Sequence, residues 1–216
     1  MYQLYYFPGN ANLAPHMALE EIGAAYQLIA VDRANNAQTS AEYLKLNPTG
    51  RIPVLIDGEL ALFETAAICL HLADRHPEAA LAPPLGTNAR AEFYKWLVYL
   101  TNTLQAELIT YFYPHRLTDD ATTAEQVQRH ADARISGPGA MLDILDAQLA
   151  RSGGPWLLGA QYTVADPYLM MLARWTRGMA EPANKRRHLR PFLDAMAARP
   201  AVQRAFEQEG LKPPLY

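Results

Sequence analysis

Apolar residues recur along this chain with two different periods, and the change from one to the other divides it. Residues 2–6 are aromatic and β-prone and read as a buried strand. Over 12–24 the spacing turns helical, with Leu13, Met17, Leu19 and Ile22 apolar and Gly23 as a stop. Residues 26–31 read as a second strand. Residues 40–46 read as a short helix, with Ser40 as N-cap and Asn47-Pro48 as its end. Two further strands, 52–56 and 60–62, flank Asp57-Gly58, a strong hairpin signal. Helical spacing returns over 64–75, giving the order β-α-β-α-β-β-α.

The texture then changes. Residues 77–88 are rich in proline and read as an interdomain linker. Beyond them no segment has strand character. Long helical periodicity covers 88–113 and 121–150, and shorter helices follow at 163–177, 189–198 and 200–209. The expected layout is an α/β domain over 1–76, the linker, and an all-helical domain over 89–216.

Composition narrows the function without naming it. The chain has 216 residues, of which 50% are hydrophobic, enough for a packed core. A net charge of −3 gives no electrostatic reason to expect nucleic acid or an anionic membrane. The one cysteine, Cys69, excludes an internal disulfide, and no Cys/His spacing suggests a metal. Neither a secretory signal pattern nor an apolar run of membrane-spanning length is present, so a cytoplasmic protein is expected.

The most specific stretch is NPTGRIPVLIDGELALFETAAI, residues 47–68. Pro53 cannot donate to a strand ladder and so belongs at a strand start, an edge or a turn. A cis bond before it would leave the backbone N–H and C=O of Ile52 free to grip an extended ligand; the residues alone leave either isomer open. Glu64-Thr65 opens a helix and reads equally as a plain cap.

With YTVAD at 162–166 and the opening YYFPGNANLAPHMALEE at 5–21, this stretch resembles the cytosolic glutathione transferases, and among them the bacterial beta-class members. The resemblance spans essentially the whole chain. It implies an α/β thioredoxin-like N-terminal domain, an all-α C-terminal domain, a homodimer, and glutathione as co-substrate. It implies a cis Pro53, with Ile52 pairing its backbone with the cysteinyl part of glutathione. Glu64 and Thr65 would hold the γ-glutamyl end, since an acid suits an ammonium and open helix N–H groups suit a carboxylate. Arg51 would reach the glycyl carboxylate, with Arg33 competing.

The chemistry would belong to glutathione's thiol. A free thiol titrates near ~8.5, and lowering this by two units takes about 2.7 kcal/mol of preference for the anion. One hydrogen bond to a charged partner supplies roughly 1.5–3 kcal/mol, so a neutral amide is sufficient. Beta-class relatives carry a cysteine in the strand–helix junction where this chain has Ala11. The donor is therefore expected from Asn12, then Asn10, then Tyr6, with an N-cap as the alternative role of Asn12. The position of the beta-class histidine falls on Gln105. Asn102, Gln105, Ile109 and Tyr113 share a face at helical spacing and would floor a site for a small apolar electrophile, or simply pack against another helix.

Other residues carry structural readings. His16 reads as a structural imidazole, Cys69 as an inert core thiol, and 184–188 as a solvated turn. Thr163 and Asp166 read as a capping pair, while Pro167 is placed where it would forfeit a helical hydrogen bond. The expected function is a transferase that ionises glutathione and offers it to an apolar electrophile. Two alternatives stand beside it: a glutathione-dependent disulfide or peroxide reductase, and a non-catalytic binding scaffold.

Overall fold

The computed structural model describes residues 1–216. Strand β1 (Tyr2–Tyr6) lies inside a four-stranded sheet of order β2-β1-β3-β4. It pairs in parallel with β2 (Tyr26–Ala30), so the chain must cross over between them, and helix α1 (Leu13–Ile22) makes that crossing. On its other side β1 runs antiparallel to β3 (Val54–Asp57), placing Leu4 opposite Leu55. Strand β4 (Leu60–Phe63) completes the sheet. The hairpin turn is Gly58-Glu59, one residue later than the sequence signal, because Gly58 alone takes a positive φ (61°), as a II′ turn requires.

Helix α2 (Ala41–Leu46) starts where Ser40 accepts a hydrogen bond from the Tyr43 N–H, the cap its sequence promised. Helix α3 (Thr65–Arg75) follows β4 directly. The segment after it is not loose. The Leu81 carbonyl accepts from the Val164 N–H, and the buried Arg90 donates to Pro83 O (2.9 Å) and Asp74 Oδ1 (3.1 Å). No helix of the chain is long and apolar enough to cross a membrane.

The rest is helical: α4 (Asn88–Tyr99), α5 (Ala106–Phe112), α6 (Ala121–Ser136), α7 (Met141–Ser152), α8 (Ala165–Trp175), α9 (Leu189–Ala197) and α10 (Pro200–Gln208). Between α4 and α5 the chain stays helical but widens to a π-helical segment, Leu100–Gln105. The periodicity expected to run unbroken through 121–150 is cut at Gly137-Pro138-Gly139, since Pro138 has no N–H to continue the ladder. Almost every residue of α8 is buried, and Leu169, Met170, Met171 and Leu172 are fully so. Helix α1 packs against α3 on one side and against α8 and α10 on the other, so one apolar core runs through both halves.

Two buried carboxylates anchor this arrangement. Asp166, the second residue of α8, accepts from the Thr163 N–H (2.7 Å) and Leu157 N–H (2.9 Å), while Thr163 Oγ1 accepts from the Ala165 N–H (3.3 Å). This is a reciprocal cap, as the YTVAD spacing implied. Pro167 is then the third helical residue, inside the first turn, where an N–H has no intrahelical acceptor and its loss costs nothing. Glu209, just past α10, reaches back to the beginning of the chain. Its oxygens accept from the Gly9 N–H (2.7 Å), Asn12 Nδ2 (2.8 Å) and His16 Nδ1 (2.8 Å), and its side chain is fully buried.

Replacing either anchor leaves buried donors without acceptors. Asp166→Asn turns an NH₂ toward a donor N–H and is expected to cost about 1–3 kcal/mol. Glu209→Ala strands three donors and is expected to cost about 3–5 kcal/mol. Urea unfolding midpoints of the two variants, measured against the native chain, check both values.

Candidate active site

The cleft between the sheet domain and the helices begins with the loop after α2. Asn47 is buried and ties this loop to itself. Its Nδ2 donates to Arg51 O (2.7 Å), and its Oδ1 accepts from the Thr49 N–H (3.0 Å) and Oγ1 (2.7 Å). Tyr43 Oη donates to the same Arg51 carbonyl (2.9 Å). Gly50 turns the chain at φ 63°, and a Cβ there would stand 3.3 Å from Gln38 O, so the NPTGR sequence is demanded on both counts.

With Arg51 O held, the next residue lines the cleft. The Ile52–Pro53 bond is cis, and neither the N–H nor the C=O of Ile52 has a hydrogen-bond partner within the chain. Opposite stands the start of α3. Glu64 sits at its N-cap with φ 71° and ψ 112°, a conformation an L-residue rarely adopts. Its side chain makes no cap hydrogen bond, so the plain capping role is not the one it plays here. Thr65 Oγ1 donates to Ala11 O (3.2 Å), joining α3 to the β1–α1 junction.

Two joined cavities open from this point. The first, about 190 Å³, is lined by Asn10, Ala11, Arg51, Ile52, Pro53, Glu64, Thr65 and Gln105, with Arg33 and Arg116 at its sides. The second, about 380 Å³, is walled by Phe7, Phe112, Tyr113 and Trp175, with Arg177 at its border. Asn10, Arg33, Ile109, Tyr113 and Trp175 line both. Trp175 is held in place by its Nε1, which donates to Gly9 O (3.0 Å).

The three donor candidates part company. Asn10 faces both cavities; its Oδ1 accepts from the Ala11 N–H (2.7 Å), leaving the NH₂ group without a partner in the chain. Asn12 is placed differently from the expectation. It is fully buried, its Oδ1 accepts from the Phe7 N–H (3.1 Å), and its NH₂ donates to Glu209. It lines neither cavity and makes no helix cap, because the Glu209 carboxylate draws the amide inward. Tyr6 is half-buried on β1 and also lines neither cavity.

The helical stripe divides as well. Gln105, Ile109 and Tyr113 reach the cleft, whereas Asn102 is exposed and reaches neither cavity. The π-helical turn explains it: the wider turn rotates residues before Gln105 off the face that α-helical spacing assigns them. Tyr168 Oη donates to Gln105 Oε1 and lies beside Thr65; burial pushes its phenol well above its usual range, so it stays neutral. The one cysteine, Cys69, is fully buried in α3, and burial raises its thiol. Sequence reasoning missed Trp175, Phe112, Phe7, Arg116 and Arg177. Trp175 ends α8 and Arg177 follows in a short 3₁₀ turn, so neither belongs to a periodic pattern that points to a ligand.

Known proteins share this architecture. Residues 1–74 match the family model for the glutathione S-transferase N-terminal domain, and residues 104–209 match that for the C-terminal domain. The glutathione S-transferase GstA of Escherichia coli O157:H7 is 31% identical over 213 residues, covering 97% of this chain and 100% of that protein. A glutathione transferase homologue from Sulfitobacter, crystallised with bound glutathione, superposes with a TM-score of 0.87 at 29% identity, covering 98% of this chain and 99% of the other. A beta-class glutathione S-transferase from Sphingomonas chungbukensis gives 0.79 at 30% identity, covering 97% and 100%. Two domain matches in the right order, and likeness along nearly the whole length of each relative, make this chain a member of the glutathione S-transferase family.

Proposed function

We propose that the smaller cavity binds glutathione, that the amide of Asn10 stabilises its thiolate, and that the larger cavity receives an apolar electrophile. The observation that carries this reading is the unpaired backbone of Ile52 at the cleft wall, facing the bare start of α3. An extended peptide bonds to such a residue as a strand bonds to a sheet edge. The side chains around it match the charges of glutathione. Glu64 is free for an ammonium, the uncapped N–H groups of α3 suit a carboxylate, and Arg51 or Arg33 suits the second carboxylate.

The sulfur of a ligand so placed comes to the β1–α1 junction. Ala11 lines the cleft there and Cys69 is buried elsewhere, so the bond-forming sulfur is glutathione's own. The free NH₂ of Asn10 supplies one charge-assisted donor, and the positive end of α1 adds up to about 1 kcal/mol. Together these cover the roughly 2.7 kcal/mol that a two-unit fall in thiol pKa requires. The thiolate then adds to, or displaces a leaving group from, an electrophile held between α5 and the end of α8. Half-exposed Tyr94 and Val98 on α4 offer an apolar face for the homodimer that the resemblance implies. A glutathione-dependent reductase is the second reading, since the larger cavity opens onto the same Asn10 without any protein thiol.

Two experiments test this. Glu64→Gln removes the partner of the ammonium and is expected to weaken glutathione binding about tenfold or more by isothermal titration. Asn10→Ala is expected to move the ultraviolet titration of bound thiolate up by about 1–2 pH units. Asn12→Ala should leave that titration in place while lowering the urea midpoint. A shift with Asn12→Ala and none with Asn10→Ala would reverse the assignment.

A further inference from the structure

The charges around the joined cavities exceed what glutathione requires. Arg33, Arg51, Arg116 and Arg177 border them, and none is in an ion pair. Arginines elsewhere on the chain are commonly paired, Arg199 with Glu21 and Arg186 with Asp143 among them. Glu64 is the one carboxylate in either lining, and it belongs to the smaller cavity. The larger cavity holds two guanidiniums and no acid.

Of these two, Arg177 lines only the larger cavity. Its Nη1 donates to Arg174 O (3.0 Å), which tethers the guanidinium to the end of α8 and leaves its remaining N–H groups without a partner in the chain. Arg33 lies over the Phe7 ring, 5.1 Å from its centroid, and lines the same cavity. Phe112 meets Trp175 edge to face at 6.3 Å, so the lining of the larger cavity includes an aromatic pair beside the two cations. Arg177 is exposed and solvated, so a neutral apolar ligand would gain nothing from it. A planar ring with a carboxylate would stack on the walls and pair with the cations.

We infer that the larger cavity selects aromatic electrophiles that carry an anionic substituent such as a carboxylate, with Arg177 as the residue that reads the charge. The inference rests on the proposal that the adjoining cavity holds glutathione. The reaction needs no further reagent. A lone pair on the glutathione sulfur forms the C–S bond at the ring carbon bearing a halide, and the halide leaves with the electron pair of the broken bond. The carboxylate stays on the ring, away from the sulfur, and takes no part in the bond changes.

The test compares 4-chloro-3-nitrobenzoate with its neutral amide, 4-chloro-3-nitrobenzamide, both with glutathione. Each kcat/KM is divided by the second-order rate constant for free glutathione, which removes the difference in ring reactivity. The native chain should favour the benzoate by about tenfold on this scale, chiefly through KM, as expected for one charge-assisted pair. Arg177→Gln should bring the ratio close to one, and Arg177→Lys should restore part of it. A native ratio near one, or a ratio that Arg177→Gln does not alter, overturns the assignment. Chlorodinitrobenzene, which is neutral, separates the two levels: turnover of it with a ratio near one removes the charge preference alone. If none of the three aromatic halides reacts while isothermal titration still shows glutathione bound, the electrophile assignment falls alone; if glutathione does not bind, the reading of the glutathione cavity falls as well.

Discussion

The carboxylate of Glu209, supplied from the far end of the chain, holds the junction between the first strand and the first helix. Its oxygens accept from the backbone of Gly9 and from the side chains of Asn12 and His16, and no part of it meets solvent. A carboxylate can only accept, so three donors around it offset much of the cost of taking it out of water. The contact also fixes geometry. Gly9 is pinned by Glu209 through its N–H and by Trp175 through its carbonyl, and Asn10 follows directly. The amide in the cleft is therefore positioned by two elements of the helical half, although it belongs to the sheet half.

This places the division of labour between the halves in physical terms. The sheet half contributes polar backbone: an unpaired residue before a proline and the open start of α3. The helical half contributes side chains, the aromatic walls from α5 and α8 with Arg116 and Arg177 at the border, and these meet Phe7, Arg33 and Arg51 from the sheet half. One strained residue stands where the two meet. Glu64 holds a positive φ with a full side chain, a conformation that persists only where surrounding structure enforces it. Thr65 supplies one such restraint through its bond to Ala11.

Much of the frame was legible from local chemistry. Ser40 capping α2, Gly23 ending α1, and Thr163 with Asp166 opening α8 each depend on residues within four positions of one another, and each was found as read. The NPTGRIP loop satisfies itself through Asn47, Thr49 and Arg51, yet the residues alone left the isomer before Pro53 open, and only the resemblance pointed to the cis bond. Errors arose where local signals compete or change period. The hairpin turn slid by one residue, the 121–150 helix broke at Pro138, and the π-helical turn carried Asn102 away from the stripe to which α-helical spacing assigned it.

The amino-acid order settled which residues could cap, turn and line, since those properties travel with the side chain and its immediate neighbours. It had no means of choosing between Asn10 and Asn12. Both sit at the same junction with the same functional group, and what separates them is a carboxylate nearly two hundred residues away that turns one inward. The same holds for Trp175 and Arg177, which become walls of a cavity only when α8 packs against α1. Long-range packing selects among chemically equal candidates, because burial and hydrogen-bond partners are properties of the folded neighbourhood rather than of the residue.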